Sequence, residues 1–434
     1  MKGKLAINGG QKVRTQPFPF CSTIGTEEIA HVTSVLSSGV LSQFIGARHQ
    51  YFYGGPEVRA LEKEWAKYFG VKHAISVNSA TSGLICAVGA SGVEPGDEVI
   101  VTPYSMSISA TAPLFYSAVP VFADIEKKYF CLDSASVESK ITSRTKAIIV
   151  VNLFGQPYDA DRINRIARKH NLVVIEDNAQ APGARYKGKY SGTLGDIGIY
   201  SLNYHKHIQS GEGGVVVTND DSLAKKIRLI RNHAEAAVED GAPEDLANML
   251  GFNFRMTEIE AAITREQLRK LKTVLQKRMQ NVRYLSRKLQ KIPFIEPAPI
   301  RKESTHVFYA LPFFYDEKKA GISRNKFIEA VNAELTHTEK REAEGVRIGC
   351  GYVKPIYLLP LFQKQICFGR KGYPFTLSKK RIRLYKKGMC PVTEQMHEKN
   401  LFLVSLLEPC MTKQDLDDIV KSFYKVWENL DELK

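Results

Sequence analysis

The chain has 434 residues, of which 44% are hydrophobic, 25% charged and 10% aromatic, and this composition excludes a disordered or fibrous protein. No uncharged apolar run approaches the roughly 18 residues of a membrane helix. Met1–Gly10 also lacks the apolar region of a secretory signal. We therefore expect a soluble cytoplasmic protein without a membrane partner. The net charge of +15 favours anionic partners, although an excess on solvated helix faces is the simpler explanation.

Residues 1–50 predict an N-terminal arm rather than a domain. A helix is predicted from Glu57 to Phe69, where apolar residues recur at helical spacing. Short apolar runs and helical stretches such as Ser82–Gly92 and Asp159–His170 then alternate. The predicted strands are Glu98–Thr102, Val119–Ala123, Ala147–Asn152, Leu172–Glu176, Ile197–Leu202 and Gly214–Thr218. Apolar strands that alternate with helices indicate a mostly parallel sheet covered on both faces, so we predict an α/β domain over residues 51–285.

The remainder of the chain predicts a smaller α+β domain over residues 286–434. Thr257–Leu289 has the continuous apolar stripe of a long helix that closes the first domain. A strand-like run at Val307–Phe314 follows, with helical patterns at Arg324–Leu335 and Lys413–Leu430. The densest basic stretch, Lys379–Lys387, carries no nucleic-acid-binding motif, so we expect no nucleic-acid partner.

The cysteines are scattered, odd in number and free of any C-x-x-C motif. They are Cys21, Cys86, Cys131, Cys350, Cys367, Cys390 and Cys410. Such spacing is poor for a disulfide framework or a zinc site. It predicts free thiols in a reducing compartment and no bound metal.

Three features of the α/β domain have the chemistry of a ligand site. Ser79–Ser82 precedes an apolar helix and offers hydroxyl and free N–H groups to an anion, or forms a plain helix cap. Asp177, with Gln180 close behind, ends a buried strand where open α/β sheets bind ligands, although it could equally cap a turn or ligate a metal. Lys206 follows another strand and precedes the glycine-rich turn Gly211–Gly214, as a lysine that forms an imine would, although a lone lysine is usually a solvated charge.

Together the three features match the requirements of pyridoxal 5'-phosphate. Its phosphate requires the donors of a helix start, and its pyridine nitrogen stays protonated beside a carboxylate. Its aldehyde forms an imine with a lysine, and the ring then accepts electrons. His205 and His207 flank Lys206, but a metal pair there has no evident third ligand.

The block from Val173 to Asp220, with its E-D-x-A-Q, S-x-x-x-x-K and G-E-G-G motifs, resembles the DegT/DnrJ/StrS family of sugar aminotransferases. Gly251–Met256 is similar to the family's G-x-N-[YF]-R-M motif, and Cys390–Glu394 is similar to its C-P-V-x-E segment. The resemblance implies fold type I of the pyridoxal-phosphate enzymes: a mixed, mostly parallel seven-stranded sheet flanked by helices, plus a smaller C-terminal α+β domain.

The resemblance also implies a role for each matching residue. Lys206 matches the imine lysine, Asp177 the carboxylate on the pyridine nitrogen, and Gln180 the group near the ring hydroxyl. Asn253 matches a residue that reaches the phosphate from the partner subunit, which implies a homodimer with shared active sites. The remaining phosphate contacts match Ala80, Thr81 and Ser201.

The sequence departs from the family pattern where an aromatic residue usually stacks on the cofactor. Pro103–Met106 stands there, so either Met106 or Tyr104 would cover the ring. A subset of the family has histidine in place of the lysine and performs dehydration. Ser201 and Gly211 fix the register so that Lys206, not a flanking histidine, takes that place.

The expected function is transfer of an amino group from an amino acid, glutamate by resemblance, to a keto sugar that is nucleotide-linked, such as a keto-deoxyhexose. His205, His306 and Tyr352 are expected to shape the sugar site. The alternatives are a cyclitol aminotransferase, a dehydratase of a keto-deoxysugar and, more distantly, a non-catalytic binding or regulatory protein.

Overall fold

A computed structural model describes residues 3–47, 49–234, 247–377 and 385–434. Most of the basic stretch Lys379–Lys387 lies outside these residues. The described residues up to Thr218 contain nine strands: β1 (His73–Val77), β2 (Glu98–Val101), β3 (Val119–Phe122), β4 (Thr145–Val151), β5 (Val173–Asp177), β6 (Arg185–Tyr186), β7 (Lys189–Tyr190), β8 (Ile197–Ser201) and β9 (Gly214–Thr218).

The central sheet has seven strands in the order β1-β9-β8-β5-β4-β2-β3. Strands β8, β5, β4, β2 and β3 run parallel, and β9 runs antiparallel to both of its neighbours. The predicted mixed, mostly parallel sheet is therefore confirmed. The prediction missed β1, which lies at the edge of the sheet and pairs with β9 over its whole length.

Helices cover both faces of this sheet and make its strands nearly inaccessible to water. The helices of this part of the chain are α1 (Thr26–Ser38), α2 (Pro56–Phe69), α3 (Ala80–Ala90), α4 (Ile108–Thr111), α5 (Ser134–Lys140), α6 (Ala160–His170), α7 (Asp221–Arg231) and α8 (Glu258–Leu289), of which α1 packs on α8. The apolar sides of α3 and α7 form one core with the sheet. On the other side, α2 and α8 contribute to a second core and α6 to a third. Continuous burial on both faces explains why the strands have apolar runs instead of an alternating pattern.

The C-terminal part is a second α+β unit. Its antiparallel sheet has the order β10-β11-β13-β12. The strands are β10 (Ile295–Pro297), β11 (Leu311–Tyr315), β12 (Ile348–Cys350) and β13 (Leu401–Val404). The helices are α9 (Glu317–Ala320), α10 (Arg324–Ala333), α11 (Pro360–Lys364), α12 (Pro391–Gln395) and α13 (Lys413–Glu428). Within the described residues, none of the helices has the length and apolarity of a membrane span.

The first residues of the N-terminal arm pack into the core of this second unit. Leu5 and Phe18 are 0% and 1% exposed and join the cluster formed by the small sheet, α10 and α13. The domain boundaries at residues 50 and 285 stay predictions.

Two cysteines correct the prediction that all of them are free. Cys21 and Cys410 form a disulfide with a Cα–Cα distance of 5.7 Å, although 389 residues separate them in sequence. The other five are free thiols. Spacing in the sequence could not reveal the pair, because the folding of the arm onto the segment before α13 creates it. The cytoplasmic location stays a prediction.

Candidate active site

The predicted cofactor residues converge on one cavity of about 490 Å³ at the carboxyl ends of β5 and β8. Strand ends and the start of α3 meet here, because parallel strands present their carboxyl ends at one edge of the sheet. The predicted residues that line the cavity are Ala80, Thr81, Met106, Asp177, Gln180, Ser201, His205, Lys206 and Tyr352. The other two predicted site residues, Asn253 and His306, do not line this cavity.

The amino end of α3 forms one wall of the cavity. Ser79 caps the helix and accepts a hydrogen bond from the Ser82 N–H at 3.0 Å. Ala80 and Thr81 occupy the first turn, where backbone N–H groups have no partner within the helix and attract an anion. Gly214 packs against this turn so closely that a Cβ would meet the Ala80 nitrogen at 2.8 Å. The last glycine of the G-E-G-G motif therefore lets β9 approach the anion site.

Asp177 contributes a buried carboxylate to the cavity wall. It is the last residue of β5, is 5% exposed, and accepts hydrogen bonds from the Ala179 N–H at 3.0 Å and the Ser109 hydroxyl at 3.3 Å. Burial raises the pKa of the Asp177 carboxyl, while these hydrogen bonds and the positive charge of Lys206 act in the opposite direction. A cationic group bound next to Asp177 would stabilise its ionised form. The structure therefore fits a carboxylate that pairs with a protonated pyridine nitrogen.

Lys206 faces the same cavity from the turn after β8. Its backbone N–H donates to the Asn203 carbonyl at 2.9 Å, which fixes the turn. Its ammonium group lies 4.6 Å from the centre of the Tyr309 ring. None of the described carboxylates forms an ion pair with Lys206, so its amine is available to react with a ligand.

Gln180 connects the two domains at the cavity wall. Its side-chain oxygen accepts a hydrogen bond from the Phe154 N–H at 2.8 Å, and its side-chain nitrogen donates to the Tyr352 hydroxyl at 3.0 Å. Tyr352 belongs to the C-terminal unit, so this contact fixes the position of a small-domain residue at the cofactor cavity.

The structure distinguishes the two candidates for covering the cofactor ring. Tyr104 is 0% exposed, lies outside the cavity and packs edge-on against Tyr352. Met106 is 55% exposed and lines the cavity. The geometry therefore supports Met106 as the proposed covering residue.

The three histidines of this region have different surroundings. His205 lines the cavity and its Nε2 lies 3.4 Å from a carboxylate oxygen of Glu344. His207 is buried, and its Nε2 pairs with the Val307 carbonyl at 3.0 Å. Burial lowers the pKa of both imidazoles. Among the described residues, no group of three or more His, Cys, Asp or Glu side chains could hold a metal ion.

His306 does not reach the cavity, contrary to the prediction that it shapes the sugar site. It is 4% exposed, and its Nδ1 accepts a hydrogen bond from the Phe308 N–H at 2.9 Å. Its ring stacks on the Phe308 ring with centroids 3.9 Å apart. Burial lowers the pKa of His306 to about 3, so it is a neutral imidazole in the interior.

Asn253 is exposed, and its side-chain oxygen accepts a hydrogen bond from Arg255 at 2.8 Å. It does not line the cavity of its own chain. A contact with the phosphate would therefore have to be made to another subunit.

Two further residues of the site, Ser109 and Tyr309, carried no clear signal in the sequence. Ser109 holds Asp177, and the only signal for it was the spacing of Ser105, Ser107 and Ser109 after β2. Tyr309 lies next to Lys206 but comes from the strand-like run of the other domain, and no motif marked it.

The fold and the site together define a class, the pyridoxal-phosphate enzymes of fold type I. The sheet is mostly parallel and covered on both faces, and its cavity combines an anion-binding helix start, a buried carboxylate at a strand end and a free lysine. The DegT/DnrJ/EryC1/StrS aminotransferase family matches residues 23–424, and the chain belongs to this family. It is therefore a pyridoxal-phosphate-dependent aminotransferase.

Relatives within the family act on two kinds of substrate. The chain is 43% identical over 249 residues to GDP-perosamine synthase of Caulobacter vibrioides, covering 57% of this chain and 66% of that protein. It is 35% identical over 318 residues to L-glutamine:2-deoxy-scyllo-inosose aminotransferase of Streptomyces lividus, covering 71% and 73% respectively. The crystal structure of an aminotransferase from Psychrobacter cryohalolentis is similar over 96% of this chain and 100% of that one, with 29% identity and a TM-score of 0.79.

Proposed function

We propose that this protein transfers an amino group from glutamate to the keto group of a nucleotide-linked keto-deoxyhexose. The observation that carries the proposal is the convergence of Lys206, Asp177 and the start of α3 on one cavity. When bound, pyridoxal phosphate supplies an aldehyde that takes up the donor's amino group and a ring that withdraws electrons from the reacting carbon.

The residues of the chain then have separate tasks. The first-turn N–H groups of α3, at Ala80 and Thr81, with the Ser201 hydroxyl, bind the phosphate. Asp177 keeps the ring nitrogen protonated, and Gln180 holds the ring hydroxyl side of the cofactor. The Lys206 amine would hold the cofactor, and once free it would move the proton at the reacting carbon of the substrate, first as a base and then as an acid.

Lys206 is tested by covalent trapping. Borohydride treatment of the purified protein should attach the cofactor permanently to Lys206, as peptide mass spectrometry would show. Lys206→Ala should lose both the attachment and turnover. Lys272→Ala, at an exposed position of α8, is the matched control and should keep both. Trapping and turnover that persist in Lys206→Ala would refute the assignment.

We further propose a homodimer in which Asn253 reaches the phosphate in the partner subunit's site. Its exposure and its absence from the lining of its own cavity support this, as does exposed Leu250, which is 74% accessible in the single chain. Mixing Asn253→Ala and Lys206→Ala chains should restore activity, because one of the two sites in a mixed dimer is then intact. Restoration would fail if each chain supplied its own Asn253.

A cyclitol aminotransferase is the second candidate, because the relative from Streptomyces lividus carries that name. Keto nucleotide sugars and keto cyclitols, each offered with glutamate or glutamine, would separate the two by product mass. A dehydratase is disfavoured because Lys206 stands at the reactive position. A dehydratase would give a product that has lost water, whereas an aminotransferase would give one that has gained an amine.

A further inference from the structure

The Cys21–Cys410 disulfide holds a short span of the N-terminal arm, residues 19–22, which crosses from the small domain to α8. Just before the span, the Phe18 N–H donates to a backbone carbonyl of the small domain at 2.9 Å. Just after it, the Thr23 hydroxyl donates to the Gln267 side-chain oxygen of α8 at 2.7 Å. The disulfide attaches the middle of the span to the segment that precedes α13. The span therefore has a non-covalent anchor at each end and a covalent one between them.

The span also forms part of a cavity wall next to Lys206. Phe20, Cys21 and Lys206 all line a second cavity of about 480 Å³, whose other walls include α8 and the small domain. Among the described residues, the hydrogen bond at the disulfide is the only one that joins residues 19–22 to the small domain or to α8. The Lys340 ammonium adds a contact 5.2 Å from the centre of the Phe20 ring. Breaking the disulfide would therefore release this part of the wall.

The disulfide is open to attack by a thiol. Cys410 is exposed and Cys21 is half-buried, and both line a surface cleft of about 530 Å³ between the arm and α8. The Cys410 N–H lies 3.2 Å from the Cys21 sulfur. When a thiol attacks the Cys410 sulfur, this N–H can donate to the departing Cys21 thiolate and stabilise it. A stabilised thiolate leaves faster in disulfide exchange.

The charges around this cleft also favour exchange. Its cationic side chains are Arg269, Lys270 and Lys277, and its acidic ones are Glu27 and Glu266. Arg269 and Lys270 each pair with one of these carboxylates, at 2.6 and 3.3 Å. Lys277 has no such partner among the described carboxylates, so the cleft keeps a positive excess. Positive charge attracts an incoming thiolate and stabilises the one that leaves.

The other cysteines differ from this pair. They are five free thiols whose pKa is raised by burial: Cys86, Cys131, Cys350, Cys367 and Cys390. For Cys86 and Cys131 the pKa rises to about 12. Such thiols stay protonated near neutral pH and are poor nucleophiles. Exchange is therefore selective for the Cys21–Cys410 disulfide.

We propose that thiol–disulfide exchange at Cys21–Cys410 is a redox switch on access to Lys206; the proposal rests on the proposed role of Lys206. In the oxidised protein the disulfide holds the span and completes the cavity wall. In the reduced protein the span is released and the cavity opens. The predicted cytoplasmic location favours a reversible pair, because reducing compartments keep disulfides only transiently.

The reductant of this switch is a dithiol. Its thiolate attacks the Cys410 sulfur, the bond between the two protein sulfurs breaks, and Cys21 leaves as a thiolate. The second thiol of the reductant then displaces Cys410 and forms the reductant's own disulfide. Two electrons pass from the dithiol to the protein. The protons that the dithiol gives up end on Cys21 and Cys410.

The rest of the arm has anchors that do not involve the disulfide. Leu5 and Phe18 are buried in the core of the small domain. Arg14 pairs with Asp415 and Asp418 of α13 at 2.8 and 3.1 Å. Reduction should therefore release only the span itself and leave the fold intact.

Chymotrypsin measures the release of the span, because it cleaves after Phe20, which is 37% exposed. The holoenzyme is oxidised with glutathione disulfide, or reduced with dithiothreitol and desalted, before the protease is added. The fragment that ends at Phe20 should appear at least about fivefold faster after reduction, since cleavage follows the open population of a segment. Iodoacetamide should label Cys21 and Cys410 only in the reduced protein.

Phenylhydrazine measures access to Lys206, because it removes the cofactor's aldehyde from the lysine with a change in absorbance. Its rate constant should rise at least about threefold on reduction, in proportion to the fraction of molecules with an open cavity. A variant with both Cys21→Ser and Cys410→Ser should react at the reduced rate with or without dithiothreitol. Cys367→Ser, which changes a free thiol, is the matched control and should respond as the wild type does.

Equal phenylhydrazine rates in the oxidised and reduced proteins would overturn the proposal, as would equal rates of cleavage after Phe20. So would a response to dithiothreitol in the variant that lacks both cysteines, since the reductant would then act elsewhere. Borohydride trapping in both redox states tests the proposed function separately. If the cofactor is not trapped on Lys206, that function fails, while cleavage after Phe20 still decides whether the disulfide controls the span. Circular dichroism verifies that the double variant keeps its fold.

Discussion

His306 should make the stability of this protein depend on pH between 7 and 5. In the folded protein its pKa is about 3 against an ordinary value of 6.5, because the ring is buried and its Nδ1 must accept the Phe308 N–H. The unfolded chain binds a proton as pH falls below about 6.5, and the folded protein does not. The contribution of His306 to the free energy of unfolding is therefore fully present above pH 6.5 and is lost as the pH falls toward 3. Between pH 7 and pH 5 the loss is about 2 kcal/mol.

The assay is urea unfolding at pH 7.0 and pH 5.0, at fixed protein concentration. His306→Asn keeps a side-chain acceptor for the Phe308 N–H but cannot titrate, so the difference in unfolding free energy between the two pH values should shrink by about 2 kcal/mol. His337→Asn is the control, because the side chain of His337 is 34% exposed. An equal pH dependence in wild type and His306→Asn would refute the reasoning. Activity at pH 7 should survive His306→Asn, because the ring lies outside both cavities.

Three further predictions concern the cofactor site and the disulfide. Asp177→Asn should lower the rate of transamination at least about a hundredfold, since an opposite charge near a buried cation is worth about 4 kcal/mol; rates within tenfold of wild type would contradict this. Met106→Ala should weaken cofactor retention in equilibrium dialysis by a few-fold, because a thioether contact with a ring is worth about 1 kcal/mol, whereas Tyr104→Phe should not weaken it. Cys21→Ser should lower the unfolding free energy by about 4 kcal/mol through lost chain restriction, and Cys367→Ser, which changes a free thiol, should leave it nearly unaltered.

The chemistry of the cofactor site was predictable from the sequence because each part of it is local. Asp177 ends an apolar run, Lys206 follows another, and Ser79–Ser82 begins a helix, so backbone geometry places all three at one edge of a parallel sheet. The long helix α8 and most strands were likewise predicted to within a few residues, because their apolar periodicity is strong.

Other features were decided by tertiary structure alone. Strand β1 lacked the signal of its neighbours, and its place at the sheet edge depends on pairing with β9, more than a hundred residues later. The burial of His306 and of Tyr104, and the position of Met106 in the cavity lining, depend on tertiary packing.

The sequence alone indicated the cofactor and the class of reaction, because each part of the cofactor site is a short motif that can be recognised separately. The Cys21–Cys410 disulfide and the cationic cleft beside it were decided only by the tertiary structure. The physical reason is that these groups come from the arm, from α8 and from the small domain. Their charges and thiols act on one another only after folding brings the three segments together.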